Sequence, residues 1–293
     1  MSTAAPSRAA VTIRRAKPED AQVCGQICYE AFHKISTVHN FPPDVPAPEM
    51  GVGLLTTMFS HPGLYCVVAE ADGRIAGSNC LDERDTIAGV GPITIDPTIQ
   101  NRGVGRKLMD AVLHRARERN FAGVRLVQAA FHNRSLSLYT TLGFDVREPL
   151  AVIQGPAIKK TYDGFAVRPA RPSDLEECNQ VALRVHGHQR GGELADAIRQ
   201  GTATVVERHG RITGYASSLA FYGHTVAETN PDLQAIIAAA DVFGGPGILV
   251  PSRNADLFRW CLANGLRVVQ PMTLMSLGLY NEPKGAFLPS ILY

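Results

Sequence analysis

The sequence has no excess of either charge, few cysteines and no long apolar run. Its 293 residues include 29 Lys and Arg against 27 Asp and Glu, and this balance excludes a general attraction to nucleic acid or to a membrane surface. No apolar run approaches the about 20 residues that a membrane-spanning helix needs. The six cysteines are too sparse for a disulfide framework, and the first ten residues do not resemble a signal peptide. We therefore expect a cytoplasmic protein with reduced thiols.

The composition that is present, 45% hydrophobic and 19% charged, is that of a globular protein, and the length suggests two domains. A weak internal repeat supports two copies of one fold. Three landmarks recur in the same order: Ile13–Asp20 matches Val167–Asp174, Val67–Gly77 matches Val205–Gly214, and Tyr139–Phe144 matches Cys261–Leu266. We assign residues 1–154 to the first domain and residues 163–293 to the second, joined by a linker at 154–164.

A glycine-containing turn carries the clearest functional pattern. Val90–Ile95 is typical of a buried strand, and the turn Gln100–Arg106 then opens a helix with Gly103 and Gly105 at its start. Glycine lets the backbone approach a ligand closely, and the free N–H groups of a first helical turn bind phosphate or pyrophosphate. Six Lys and Arg against two acids in 102–119 add positive potential. The turn is neither a Walker A loop nor a dinucleotide fingerprint, because the Gly-Lys-Ser/Thr ending and the third glycine are both missing.

This order of elements resembles the GNAT superfamily of N-acetyltransferases, closely over residues 65–147 and loosely over 11–64. Two motifs carry the resemblance: Gln100-x-x-Gly103-x-Gly105 and Tyr139-x-x-x-Gly143-Phe144. The resemblance implies an α/β fold, a mixed sheet with flanking helices, in two tandem GNAT-like domains. It also implies that the first domain binds acetyl-CoA and transfers its acetyl group directly to an amine acceptor, without a metal.

By the same resemblance, the turn holds the pyrophosphate of acetyl-CoA. The residues that would line the cofactor in this region are Ile93, Thr94, Ile95, Gln100, Asn101, Arg102, Gly103, Val104, Gly105 and Arg106. The family usually has an asparagine seven residues before its tyrosine. Here that position is His132, and Asn133 follows one residue later, so either side chain is a candidate for contact with the pantetheine arm.

Acetyl transfer to an amine needs a proton donor and a proton acceptor. A thiol with a pKa of about 8.5 leaves more easily if it is protonated as it departs, and by resemblance Tyr139 holds the general-acid position. An amine with a pKa of about 10.4 must lose a proton before it attacks. Val90–Ile95 contains no acid, but Asp82, Glu83 and Asp85 lie just upstream. Glu83 is the candidate base, and a water chain is the alternative to it. The three acids could instead form a solvated hairpin tip without a catalytic role.

The second copy lacks this machinery. In place of the glycine turn it has Ala227–Asp232, where Asn230 is expected to cap a helix and Pro231 to lie in its first turn. Cys261 stands in the position of the tyrosine. We therefore expect a degenerate domain that shapes the acceptor site or forms an oligomer interface, such as that of a homodimer.

The sequence leaves several functions open. The enzyme could transfer a longer acyl group, or the protein could bind acyl-CoA without turnover as a sensor or interaction module. The acceptor could be a small amine, an antibiotic, a polyamine, a peptide N-terminus or a protein lysine, whereas nucleic acids and membranes are not expected partners. His186-Gly187-His188 lacks a further ligand at metal-site spacing, so we expect a structural role for both histidines.

Overall fold

The computed structural model describes residues 11–99 and 103–293. Contacts between residues divide the chain into two compact units. The first comprises the chain up to Leu81 together with Gly91–Arg119, and the second comprises Asp82–Val90 together with Asn120–Tyr293. The second unit therefore contains the later part of the first sequence copy as well as the whole second copy.

In its described part, the first unit has a small sheet and three helices, numbered along the whole chain. Its strands are β1 (Thr12–Arg15), β2 (Leu64–Ala71), β3 (Arg74–Asp82) and β5 (Thr94–Ile95), and its helices are α1 (Ala21–Val38), α2 (Pro48–Ser60) and α3 (Val104–Glu118). β1 is antiparallel to β2, and β5 is antiparallel to β3. Asp72 and Gly73 have φ angles of +53° and +73° in the hairpin between β2 and β3, and a two-residue type I′ turn requires such positive φ angles.

The second unit has two sheets and five helices. Its strands are β4 (Ile87–Val90), β6 (Gly123–Ala129), β7 (Asp145–Gln154), β8 (Ala166–Pro169), β9 (Thr204–Arg208), β10 (Arg211–Ala216), β11 (Thr225–Ala227), β12 (Ile248–Pro251), β13 (Arg267–Gly278) and β14 (Ala286–Leu288), and its helices are α4 (Asn133–Thr141), α5 (Leu175–His186), α6 (Gly191–Gln200), α7 (Asn230–Ala239) and α8 (Ala255–Ala263). One sheet has the order β4-β6-β13-β7-β12 and the other β14-β11-β10-β9-β8. β4 is parallel to β6, whereas β13 is antiparallel to both of its neighbours. The mixed sheet with flanking helices expected from the sequence is therefore present.

In one sheet of the second unit, strands from the two sequence copies alternate. β7 follows the tyrosine-bearing helix α4 in the first copy, and β13 follows α8 in the second copy. β13 lies between β6 and β7, and β7 lies between β13 and β12. Each copy therefore contributes alternate strands to one sheet. The proposed domains, 1–154 and 163–293, are linked through backbone hydrogen bonds as well as through the linker.

An arginine–aspartate pair is repeated at the start of each copy. Arg14 donates to Asp20 at 2.7 Å, and Arg168 donates to Asp174 at the same distance. Each arginine also binds a glutamate on the neighbouring strand, β2 or β9. Each aspartate in addition accepts the main-chain N–H three residues before it. The sequence similarity of these segments therefore reflects the same anchoring of a strand to the first turn of a helix.

The side chains that pack each unit are apolar, and they include the cysteines. All six cysteines are buried free thiols, and burial raises the pKa of Cys24 and of Cys28 to about 12. In the described part of the chain, no helix is long and apolar enough to cross a membrane. Within the same residues, no group of three or more His, Cys, Asp or Glu side chains is placed to hold a metal ion.

Candidate active site

The start of α3 in the first unit has the features of an anion-binding turn. Gly103 is the N-cap of the helix and has a φ angle of +79°, a conformation that favours glycine. A Cβ atom added to Gly103 would meet no atom of the other described residues within 4 Å, its chain neighbours aside. The first turn of α3 contains no acidic residue. Among the described residues no side chain caps it, so none of them uses the N–H groups that helix geometry leaves free.

The residues predicted to line the cofactor are partly described. β5, which contains Thr94 and Ile95, packs beside α3 within the first unit. Val104, Gly105 and Arg106 form the first turn of that helix. Ile93 immediately precedes β5. Gln100, Asn101 and Arg102 lie outside the described residues.

The corresponding helix start in the second copy is filled by its own side chains. Thr229, and not Asn230 as expected, is the N-cap of α7, because its hydroxyl oxygen accepts the N–H of Asp232. Asp232 is fully buried and accepts a hydrogen bond from Thr213 at 2.7 Å. The Asn230 amide instead exchanges two hydrogen bonds with Asn254, of 3.0 and 2.7 Å. The first turn of α7 therefore has a side-chain cap and a buried carboxylate, and both disfavour a bound anion.

His132 is the N-cap of the helix that carries Tyr139. Its Nδ1 atom accepts the N–H of Ser135 at 3.0 Å, so a neutral His132 carries its proton on Nε2. Asn133 is the first residue of α4. In the second copy, Asn254 caps α8 in the same way and lies seven residues before Cys261. This position is therefore a helix cap in both copies, which explains how histidine can replace asparagine there.

Tyr139 is a buried phenol on α4. Its side chain is 6% exposed, and its ring lies 6.2 Å from the ring of Phe144, centroid to centroid. Burial raises the pKa of Tyr139 above its ordinary value, because the ionised form would lose its hydration. The phenol therefore keeps its proton at neutral pH.

Two of the three acids considered as bases have structural roles. Asp82 accepts from Arg84 at 2.9 Å, and Arg84 also binds Asp196 at 2.7 Å. Asp85 accepts the N–H groups at the start of α6, the closer of them from Gly192 at 2.7 Å. Glu83 lies between these residues, half-buried in the turn from β3 to β4.

Sequence reasoning missed a buried polar cluster in the second unit. It consists of Arg125, His186, His188, Arg190, Glu193, His224 and Tyr293, all of them buried or nearly so. The expectation of structural histidines did not anticipate that two arginines pack with them. The only sequence signal is the run from His186 to Arg190, which gives no indication of Arg125 or of Tyr293.

Residues 30–144 match the model of the Acetyltransferase (GNAT) family. The mycothiol acetyltransferase of Nocardia farcinica is 43% identical over 101 residues, 33% of this chain and 33% of that protein. The mycothiol acetyltransferase of Thermomonospora curvata is 36% identical over 87 residues, 29% of each chain. The chain thus matches about a third of the length of these curated relatives.

Solved structures resemble the whole chain in fold at low sequence identity. A candidate acetyltransferase from Pyrococcus horikoshii has a TM-score of 0.72 at 19% identity, covering 97% of this chain and 92% of its own. A GCN5-related N-acetyltransferase from Sphaerobacter thermophilus has a TM-score of 0.62 at 16% identity, covering 94% and 98%. A tandem GNAT protein from the clavulanic acid biosynthesis pathway has a TM-score of 0.55 at 14% identity, covering 92% and 98%. Residues 30–144 therefore match the GNAT acetyltransferase family model, and the chain shares its fold with these solved structures, one of them a tandem GNAT protein.

Proposed function

We propose that the protein is an N-acetyltransferase that moves the acetyl group of acetyl-CoA directly to an amine. The family match spans both the glycine turn and Tyr139. The observation that carries the proposal is the start of α3, where Gly103 has a positive φ angle. There the described residues supply neither a capping side chain nor an atom within 4 Å of an added Cβ. A pyrophosphate fits such a helix start, because free N–H groups and the helix dipole both favour an anion.

Acetyl-CoA is the acyl donor, and this chain's turn would hold its pyrophosphate. Residues 100–106 supply the turn, and Ile93, Thr94 and Ile95 precede it. His132 and Asn133 remain candidates for the pantetheine arm. His132 Nδ1 is engaged as a cap, so the role available to its ring is donation from Nε2.

In the reaction that we propose, the amine nitrogen attacks the thioester carbonyl and the carbon–sulfur bond then breaks. The electron pair leaves on sulfur, and Tyr139 donates its phenolic proton to that sulfur. The attacking amine loses a proton to a base, for which Glu83 is the candidate, directly or through water. A buried phenol with a raised pKa is protonated when each turnover begins, as a general acid must be.

The acceptor that we propose is a small-molecule or peptide amine, acetylated in the cytoplasm. The name of the mycothiol acetyltransferases describes those proteins, and the match to them covers only a third of this chain. The second copy would supply no cofactor site, because Thr229 caps the start of α7 and the buried Asp232 carboxylate would repel a phosphate. It would instead shape the acceptor site or a dimer interface.

The test separates binding from turnover. Acetyl-CoA should raise the melting temperature of the full chain, and a panel of amines should then support release of free CoA thiol. A stabilising shift without thiol release from any amine would favour a non-catalytic acyl-CoA sensor. The absence of both would reject the cofactor assignment as well.

A further inference from the structure

One face of β6 in the second unit is apolar except at its last residue, Gln128. Val124, Leu126 and Gln128 alternate along the strand and therefore share that face. All three are buried, and Gln128 is only 5% exposed. A buried amide costs free energy unless its polar atoms form hydrogen bonds. The partners of this side chain therefore indicate whether its role is structural.

Only one end of the Gln128 amide has a partner in the described part of the chain. Its Oε1 atom accepts the hydroxyl of Ser135 at 3.0 Å, whereas its buried Nε2 atom has no hydrogen-bond partner there. The same hydroxyl also lies within reach of the His132 carbonyl oxygen. That carbonyl already accepts the N–H of Leu136, so the hydroxyl proton is available to Oε1. Gln128 therefore holds a buried amide N–H group that needs an acceptor.

Another glutamine of the same unit shows a structural amide for comparison. Gln154 ends β7, and its Nε2 atom donates to the carbonyl oxygens of Phe243 and Gly245, both at 3.0 Å. Its Oε1 atom accepts the main-chain N–H of Gly155 at 2.9 Å. Both ends of this amide are satisfied, although Gln154 is more exposed than Gln128. The unmet donor is therefore specific to the position of Gln128.

Gln128 lies where β6 has a strand neighbour on one side only. β4 pairs with β6 at Gly123–Arg125, and β6 then continues to Ala129. On the other side, Gln128 pairs with Thr273 of β13. In the described ranges, no residue of β6 after Arg125 has a strand partner on the β4 side. The unmet amide donor thus lies beside an unpaired strand edge, whose main-chain groups are available to an extended ligand.

The hydroxyl that binds Gln128 belongs to the helix that carries Tyr139. Ser135 and Tyr139 are one turn apart on the same face of α4, about 5.4 Å along the helix. α4 leads from the carboxyl end of β6 to the amino end of β7. These two strands are parallel, because both are antiparallel to β13. Tyr139 is therefore farther from the carboxyl edge of the sheet than Gln128 is.

We propose that Gln128 binds the pantetheine arm of acetyl-CoA by donating from Nε2 to an amide carbonyl oxygen, and that Ser135 orients it. The inference rests on the proposed function, in which Tyr139 protonates the thioester sulfur. The chain leaves the carboxyl end of β4 toward the glycine turn, and β4 is parallel to β6. An arm that enters from this edge passes Gln128 before its sulfur reaches Tyr139. The amide nearest the sulfur is two methylene groups away, a separation similar to one helical turn of about 5.4 Å.

The proposal predicts that stability and affinity respond differently to Gln128→Met. Methionine keeps the length and the unbranched shape of the side chain but removes the unpartnered donor. Without ligand, the variant should therefore be at least as stable as the wild type. Its affinity for acetyl-CoA should fall about tenfold, because a carbonyl of the arm loses its hydrogen bond. A glutamine with a structural role alone would show the reverse, a loss of stability at unchanged affinity.

Calorimetric titration of the full chain tests this contact with two ligands, acetyl-CoA and adenosine 3′,5′-bisphosphate, which lacks the arm. Gln128→Met should bind acetyl-CoA about tenfold more weakly and the bisphosphate within about twofold of wild type. Gln128→Glu should lose at least as much affinity for acetyl-CoA, because a carboxylate cannot donate. In steady-state assays the KM for acetyl-CoA should rise while kcat stays within about twofold, since the contact is the same in the ground and transition states.

Gln154→Met is the matched control. It makes the same chemical change at a satisfied amide, so it should lower stability and leave the affinity for acetyl-CoA unchanged. The proposal is overturned if folded Gln128→Met or Gln128→Glu binds acetyl-CoA as tightly as the wild type. It is equally overturned if Gln154→Met loses as much affinity as Gln128→Met, or if both ligands are weakened alike.

Two further results keep the test decisive. If Gln128→Met does not fold, Ser135→Ala decides: loss of the orienting hydroxyl should weaken acetyl-CoA about threefold, and an unchanged affinity overturns the proposal. Absence of acetyl-CoA binding by the wild type would reject the cofactor assignment itself. Wild-type binding that is insensitive to Gln128 would reject this inference alone, so the two failures are distinguishable.

Discussion

Replacing Gly103 by alanine tests the cofactor turn, and Gly73 offers a matched control. Gly103 has a φ angle of +79° and Gly73 one of +73°, and at both positions an added Cβ would meet none of the other described residues within 4 Å, chain neighbours aside. A left-handed alanine costs about 1–2 kcal/mol, partly offset by the reduced freedom of the unfolded chain, about 0.4–1 kcal/mol. Each variant should therefore lose about 1 kcal/mol of stability without acetyl-CoA, or about 2–4 °C in melting temperature.

The two variants should differ only when acetyl-CoA is present. At a concentration of 100 times Kd, the ligand stabilises the wild type by about 2.7 kcal/mol. A tenfold loss of affinity reduces this to about 1.4 kcal/mol and a hundredfold loss to about 0.4 kcal/mol at the same concentration. We expect Gly103→Ala to lose most of the shift, because its methyl group occupies the space that the pyrophosphate needs. Gly73→Ala should keep it.

The assay is thermal unfolding of wild type and both variants across an acetyl-CoA titration. Equal ligand-induced shifts in all three proteins would refute the reasoning, because the backbone at Gly103 would then not approach the cofactor. Loss of the shift in Gly73→Ala as well would indicate a general effect of backbone strain in this unit.

Three more predictions follow from the described side chains. Tyr139→Phe should lower kcat by about 10²–10⁴-fold with little change in acetyl-CoA affinity; steady-state rates within about twofold of wild type would make the phenol structural. Calorimetry should give one acetyl-CoA per chain, because Thr229 caps the start of α7 and the Asp232 carboxylate would repel phosphate; two sites of similar affinity would contradict this reasoning. The pKa of His188 is about 4 in the folded chain, whereas its ordinary value is 6.5. Between pH 4 and pH 6.5 the unfolded chain therefore binds a proton that the folded chain does not. His188 should therefore reduce unfolding free energy by about 1.3 kcal/mol as pH falls from 7.5 to 5.5. Chemical denaturation should show a smaller loss in His188→Gln, and an unchanged pH dependence would contradict the buried neutral imidazole.

The local signals in the sequence predicted the local structure well. Turn chemistry at Asp72-Gly73 and its repeat at His209-Gly210 give hairpins with nearly identical φ angles in both copies. The glycine turn likewise opens a helix, with Gly103 as its N-cap. These features depend on the backbone preferences of a few neighbouring residues, so they can be predicted from one sequence alone.

Features that depend on distant residues were not predictable in this way. The position of β13 between β6 and β7 requires the pairing of segments more than a hundred residues apart, and no periodicity encodes that choice. The contact of Arg125 with Tyr293 joins residues 168 positions apart, and the sequence pattern does not predict it either. At the start of α7 the expected cap, Asn230, instead binds Asn254, and Thr229 caps the helix.

The most direct test of the central claim is product formation from acetyl-CoA by the full chain. Wild-type protein is incubated with acetyl-CoA and a panel of amines, free thiol is followed continuously, and the acetylated amine is identified by mass spectrometry. The account predicts that at least one amine gives thiol and N-acetylated product in equal amounts, at a rate that Tyr139→Phe lowers by about 10²-fold or more. Bound acetyl-CoA with no thiol release from any amine, or thiol release without an N-acetylated product, would contradict it.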